Sequence, residues 1–364
     1  MTTSLIYLPK MAFVLLLGMN YSFLFADGPP IAKIKTEFRL THGLPISWNS
    51  EEVVILEPTG QIVSFLPGEI LEHSILQESF IPHTSMHLRG ALQEEFGRSY
   101  AVDGSGDFVI VASKSTVSHW TKVFSELQRS FVQYFSTRGY PLKRLDFPLV
   151  GIVFRNQADF FSHAAANHIN ISPRTAGFYS IASNRLYLFE PNGNLVDQQE
   201  AMATIRHEAI HQLAFNSGIH QRLSSPPLWV IEGLASIFEA PGMNRTRSGI
   251  ASDALVNQSR IETWKEIARS PNQLASFLDS MIRDDGLFRS DPDSAYAIAW
   301  GISLYLSERD SSKYSKYLQK MSRLPIGRAY LSSERVTDLH GEFSGSTAML
   351  VQSAIRYIDQ ISPQ

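Results

Sequence analysis

Three observations predict an α+β fold for this 364-residue chain. The front reads as short strands punctuated by turns, and the middle places a buried strand among amphipathic helices. The tail is helical in pattern throughout. Read from composition and spacing, residues 1–26 are a leader, 27–98 a β-rich N-terminal module, 99–245 an α/β domain carrying the chemistry, and 246–364 a helical C-terminal domain. That length suffices for two or more domains with cores of their own. The net charge of −3 lacks the basic excess of a nucleic-acid binder, so no nucleic-acid partner is expected.

The leader has the layout of an export signal. Lys10 supplies the positive charge, Met11 to Phe25 are apolar but for Asn20 and Ser22, and Ala26 precedes the expected cut at Asp27. The run falls short of the ~20 residues a membrane helix needs, so no stable span is expected after cleavage. Loss of Lys10 takes the charge from −3 to −4. The expected destination is the periplasm or the exterior. With no cysteine in the chain, disulfides, thiolate metal sites and cysteine nucleophiles are all excluded. Any zinc must be held by histidine and carboxylate.

In the front module, residues 52–56 and 61–66 flank Glu57-Pro58-Thr59-Gly60, a turn sequence that predicts a hairpin. Ser85 is placed to cap a helix that stops at Gly97. His83 and His87 imitate a ligand pair, but His83 precedes the cap and no glutamate lies between them, which favours a packing role. Asp103-Gly104-Ser105-Gly106 lacks the lysine of a phosphate loop and the spacing of a nucleophile elbow, and reads as a hairpin turn.

Trp120, Val123, Phe124, Leu127, Phe131 and Tyr134 recur at helical spacing within a helix over 116–138, and residues 147–154 are a near-continuous apolar run, as in a central strand. A short helix spans 157–166, with His163 and His168 near its end and no partner pattern around them. Residues 177–181 and 185–189 form a further hairpin, whose edge could accept an extended peptide as one more strand. Asp197 and Glu200 make a capping box for a helix reaching Asn216, with Gly218 as its stop. Pro226-Pro227 start the next helix, which ends before Pro241-Gly242, and residues 243–255 read as a loop. Helical segments then follow at 261–268, 272–282, 294–307, 312–321 and 348–361.

The chemistry concentrates between His207 and Glu239. His207-Glu208-Ala209-Ile210-His211 is an H-E-x-x-H sequence, and on a helix positions i and i+4 share a face, so both imidazoles can reach one ion. Glu208 flanks that face, where it can take a proton from water without ligating metal. Glu232 on the following helix completes three ligands and leaves the fourth position of a catalytic site open. Glu239 is its rival. The two acids are seven residues apart, ~10 Å along the axis, so one ion cannot take both. Gly233 and Ala235 permit close helix approach at Glu232, which leaves Glu239 a supporting role.

These residues resemble the gluzincin zinc metallopeptidases, of the thermolysin and aminopeptidase type. Trp229-Val230-Ile231-Glu232-Gly233-Leu234-Ala235, continuing to Glu239, is similar to the W-x-x-E-G-x-A…E helix of the aminopeptidase branch. The specific motifs cover about a tenth of the chain. A looser likeness over residues 108–239 extends to secreted bacterial peptidase-like proteins.

The resemblance implies a mixed sheet with active-site helices and a Zn2+ cofactor on His207, His211 and Glu232. It makes Glu208 the general base and then acid, in hydrolysis of a peptide or protein substrate. It implies that a tyrosine on a later helix, here Tyr296, stabilises the oxyanion, with Tyr179 and Tyr187 as outside candidates. Ser236 stands where thermolysin-type enzymes carry an aspartate that orients the first histidine, a substitution that weakens the expected support. The G-x-M-E-N sequence that holds a substrate's amino end is absent before His207, so an endopeptidase is expected over an aminopeptidase. The alternatives are a catalytically inactive relative that keeps zinc for structure or for binding peptides or envelope partners, and a surface module in which the motif is incidental.

Overall fold

The computed structural model describes residues 30–362 except Arg174, Asn194, residues 245–255 and Ser344; the expected leader and most of the loop expected at 243–255 lie outside the described residues. Five short strands open it: β1 (Ile31–Lys35), β2 (Leu40–Trp48), β3 (Val53–Leu56), β4 (Ile62–Phe65) and β5 (Glu72–Leu76). They form an antiparallel sheet in the order β4-β3-β2-β1-β5. Strand β2 changes partner along its length. Its first half pairs with β1 and its second with β3, across an irregularity at Pro45/Ser47. Proline lacks the ladder donor and so belongs at such a break. The sheet bends enough there for Trp48 of β2 to meet His73 of β5, ring centroids 5.2 Å apart.

The helix α1 (Ser85–Phe96) is capped by Thr84, whose side chain accepts from His87 N–H; the cap expected at Ser85 is one residue earlier. A second, mixed sheet follows, from β6 (Ala101–Ser105), β7 (Phe108–Ala112), β8 (Leu149–Phe154), β9 (Gly177–Ser180) and β10 (Arg185–Phe189), in the order β6-β7-β8-β10-β9. The core pairs β7/β8 and β8/β10 are parallel, and both outer pairs are antiparallel. Gly106, at φ +61°, makes the turn between β6 and β7, so the Gly-Ser-Gly is structural. Alternate residues of β7 enter different cores: Phe108, Ile110 and Ala112 join one, Val109 and Val111 the other. That period of two explains why both faces of these strands are apolar.

Helices cover both faces of this sheet. Leu88 and Leu92 of α1 and Phe160 of α3 (Gln157–Ala166) pack on one. On the other lie α2 (Val117–Thr137), with Trp120, Phe124, Leu127 and Phe131, and α4 (Leu195–Asn216). Each fully buried side chain of the Leu or Phe class contributes about 1.5–3 kcal/mol. Helix α4 begins two residues before the expected cap, leaving Asp197 in its first turn, and Gly218 at φ +81° follows its end as expected.

Helix α5 (Leu228–Ile237) starts after the prolines, with Pro227 as its N-cap. Having no side chain to accept a bond, Pro227 leaves Leu228 N–H to Asp285, which is held in turn by a two-pronged bond from Arg335. The tail adds α6 (Gln258–Ala268), α7 (Pro271–Arg283), α8 (Leu287–Ser290), α9 (Pro292–Arg309), α10 (Ser311–Met321), α11 (Ser332–Glu342) and α12 (Thr347–Ile361), making twelve helices among the described residues. The polar α11 was not expected. Its tertiary anchors, Leu339 in the core and Arg335 on Asp285, compensate for the weak apolar pattern. No helix among the described residues is long and apolar enough to cross a membrane.

One contact positions the functional site. A Cβ on Gly233 of α5 would stand 2.3 Å from Ser303 Oγ and 2.4 Å from Ala299 O, both on α9. The two helices therefore touch backbone to backbone, and α5 is seated by that contact beside α4.

Candidate metal centre

His207, His211 and Glu232 converge as their spacing predicts. His207 Nε2 lies 3.0 Å from His211 Nε2 and 3.1 Å from Glu232 Oε2, and His211 Nε2 is 3.6 Å from the same oxygen. All three side chains are at most 1% exposed. An ion bound tetrahedrally with bonds of about 2.05 Å would hold its ligands ~3.3 Å apart, and these distances straddle that value. Two observations make a cation fit. Three lone-pair-bearing atoms crowd into one buried spot, and the second carboxylate oxygen of Glu232 has no hydrogen-bond partner. An orphaned buried polar atom calls for an explanation, and a positive ion between these groups provides one.

The electrostatics agree. Burial opposes ionisation of Glu232, but charge from His211 and the hydrogen bond from His207 outweigh it, bringing its pKa down to about 2. Burial likewise disfavours a charged His207. Hydrogen bonds to Glu232 and Glu239 and the charges of both acids overcome that, raising its pKa to about 10 without a metal. The group is built to hold positive charge in a dry interior.

Glu239 lies just beyond the end of α5, and its Oε1 accepts from His207 Nδ1 at 2.8 Å. A carboxylate there fixes the tautomer and turns Nε2 toward the ligand group. Burial alone would push Glu239 toward neutrality; the Arg260 guanidinium and His207 hold it well below the usual carboxylate range. Arg260 of α6 reaches both oxygens, at 3.1 and 3.3 Å, Asn257 adds a bond of 2.7 Å, and Arg206 grips the main-chain oxygen of Glu239. The expectation that Ser236 orients the first histidine is corrected. Its hydroxyl has no hydrogen-bond partner and its carbonyl accepts from Asn257. Three residues further on, Glu239 has the reach that serine lacks.

Glu208 is 1% exposed, and its Oε2 accepts from Tyr179 N–H at 2.9 Å, on the open side of edge strand β9. The Tyr179 hydroxyl is bonded to Asn184, which removes it from the oxyanion candidates. Tyr187, on β10, belongs to the aromatic core on the opposite face of the sheet from α4, so it is not brought to the centre either. Tyr296 on α9 is beside the centre, its ring centroid 6.3 Å from that of His207, packed edge-on to Phe288 with Arg260 over its face at 4.9 Å. His83 and His87 meet edge to face at 5.8 Å, with His83 outside α1, and His163 packs against Phe96, Phe154 and Tyr187; among the described residues none of the three belongs to a His/acid group that could hold a metal. His168 adopts a positive φ of 54° just after α3.

Residues that spacing alone did not single out complete the surroundings. Gln212, beside His211, donates to Val150 O and Asn184 O and ties α4 to the sheet. His220 is buried with neither ring nitrogen bonded; burial, then the neighbouring His211, lowers its pKa to about 3. Arg260 and Asn257 lie beyond the recognised motif, so nothing local in the sequence marks them as partners of Glu239.

Residues 201–326 match the family described as "Protein of unknown function (DUF1570)". No curated protein matches the chain. The matched stretch holds His207, Glu208, His211, Glu232, Glu239, Arg260 and Tyr296. The chain therefore carries, within a region similar to a family of unknown function, a buried His-His-Glu group that can hold a metal ion.

Proposed function

We propose that this chain is an exported, zinc-dependent hydrolase of peptide bonds, acting as an endopeptidase on peptide or protein substrates. The observation that carries this reading is the meeting of His207, His211 and Glu232 in one buried group, with Glu208 adjoining His207 on the same helix. The all-nitrogen-and-oxygen donor set suits zinc, and the likeness of both motif helices to gluzincin peptidases supports it. Zinc bound there supplies a Lewis acid that polarises a carbonyl and acidifies water. Glu208 takes a proton from the attacking water as its oxygen bonds to the carbonyl carbon. It then passes the proton to the amine as the C–N bond breaks. Tyr296 is the proposed donor to the oxyanion, and Glu239 with Arg260 keeps His207 in the ligating tautomer. The export reading rests on residues 1–26.

A second reading is favoured by one specific observation. Glu208 and the three candidate ligands are each at most 1% exposed, so a substrate reaches them only if the structure opens. A centre that stays closed would keep zinc for structure or for binding. Two measurements on the mature chain decide. Elemental analysis of protein purified without added metal is expected to give one zinc per chain. A broad peptide library is expected to be cleaved by wild type and not by Glu208→Gln, which keeps its zinc. Equal cleavage backgrounds would remove the hydrolase reading, and absence of zinc would remove both.

A further inference from the structure

The N-terminal sheet meets the metal-bearing region at the turn between β9 and β10. Ile62 N–H, at the start of β4, donates to Ala182 O at 2.7 Å. Gly60, at φ +84°, brings its backbone so close that an added Cβ would meet Phe147 at 3.0 Å and the Asn184 amide at 3.2 Å. Arg222, from the segment between α4 and α5, ties these parts together. Its guanidinium donates to Gly60 O at 2.8 Å, to Ile181 O at 3.1 and 2.5 Å, and to Ala182 O at 3.3 Å. From beneath, α4 holds the same turn. Gln212 donates to Asn184 O, the Asn216 amide bonds the Asn184 side chain, and the Tyr179 hydroxyl donates to Asn184 Oδ1.

This turn directly follows β9, the strand whose Tyr179 N–H holds the Glu208 carboxylate. An edge strand is paired on one side only, so its place relative to α4 depends on what grips its ends. Guanidinium-to-carbonyl bonds fix such a loop in direction as well as distance. We propose that Arg222 is a positioning residue for Glu208: by bracing the β9–β10 turn against the N-terminal sheet, it sets the strand that aims the carboxylate. On this account the β-rich module is part of the site's support and not a separate binding unit. The inference rests on the hydrolase reading only for its kinetic consequence; the brace itself is testable without turnover.

The experiment compares wild type with Arg222→Met, Arg222→Lys and Ile62→Pro in the mature, zinc-loaded chain. Proline is tolerated at the first residue of an edge strand, and here it removes the N–H that donates to Ala182. Hydrogen exchange of the β9 amides, Tyr179 included, is expected to quicken about tenfold or more in Arg222→Met and Ile62→Pro, and less in Arg222→Lys. Zinc stoichiometry is expected to stay at that of wild type. With a cleaved peptide in hand, kcat is expected to fall about 10- to 100-fold at unchanged KM, with partial rescue by lysine. Unchanged exchange at Tyr179 in both Arg222→Met and Ile62→Pro overturns the proposal. If Arg222→Met fails to fold, Ile62→Pro decides alone by the same criterion. If exchange quickens but wild type cleaves nothing, the brace stands and the hydrolase reading fails.

Discussion

Glu239 accepts the Nδ1 proton of His207 at 2.8 Å, while Glu232, seven residues earlier, faces Nε2 of the same ring at 3.1 Å. Two acids that cannot share an ion thus share an imidazole, one orienting it and the other standing beside it as a candidate ligand. The arrangement works because Glu239 lies past the end of α5 and is anchored by Arg260, Asn257 and Arg206.

Glu239→Gln keeps the shape but removes the charge. It is expected to weaken zinc binding 10- to 100-fold, as losses of outer partners generally do, with one zinc still bound at saturation. Isothermal titration checks this. Glu239→Ala also strands the buried Arg260 and is expected to cost about 3–5 kcal/mol of stability, read from denaturant unfolding. Equal zinc affinity in Glu239→Gln and wild type would show that His207 does not depend on it.

Glu232→Gln is expected to differ in kind. Loss of a direct carboxylate ligand should reduce the zinc bound after dialysis from one per chain to near none, whereas Glu208→Gln retains it. Elemental analysis of the two variants side by side distinguishes a ligand from a neighbour.

The metal-free protein should show a defined pH optimum of stability. The folded pKa of His207, about 10, lies above its unfolded 6.5, so its contribution is complete below 6.5 and is lost as pH rises through 10. The folded pKa of Glu232, about 2, lies below 4.5, so its contribution is present above 4.5 and is lost as pH falls toward 2. Melting of chelator-treated protein is therefore expected to peak between pH 4.5 and 6.5. On the zinc reading the metal would displace the His207 proton, so affinity is expected to rise about tenfold per pH unit toward neutrality. Titration in buffers of different ionisation enthalpy should detect about one proton released.

Gly233→Ala tests the contact that seats α5. Helix propensity alone would favour alanine by roughly 0.5–1 kcal/mol. The 2.3 and 2.4 Å approaches to Ser303 and Ala299 forbid its methyl without separating the helices. A net loss of about 1–3 kcal/mol is expected in denaturant unfolding, with weaker zinc binding because Glu232 moves with the helix. Stabilisation by alanine would contradict the packing.

Much of this was legible in the chain itself. The i, i+4 histidines lie on the helix their spacing predicts, and Glu232 joins them from the next helix. The apolar period of α2 marks its buried face, and the continuous apolar run of β8 marks a strand buried on both faces. Such features are local: helical repeat and strand alternation are properties of neighbouring residues, whatever the rest of the fold does. Other features exist only in three dimensions. Arg260 reaches Glu239 from 21 residues away, Arg222 links a turn at Gly60 to another at Ile181, and the peptide N–H of Tyr179 holds Glu208. Even the choice of Glu239 over Ser236 as the histidine's partner depended on where α5 ends and what anchors the next residues. Sequence spacing determined which side chains could meet an ion; the packing of α5 on α9 and the grip of distant guanidiniums decided how each is held. Those bonds join groups that only a folded chain brings together, and no local pattern encodes them.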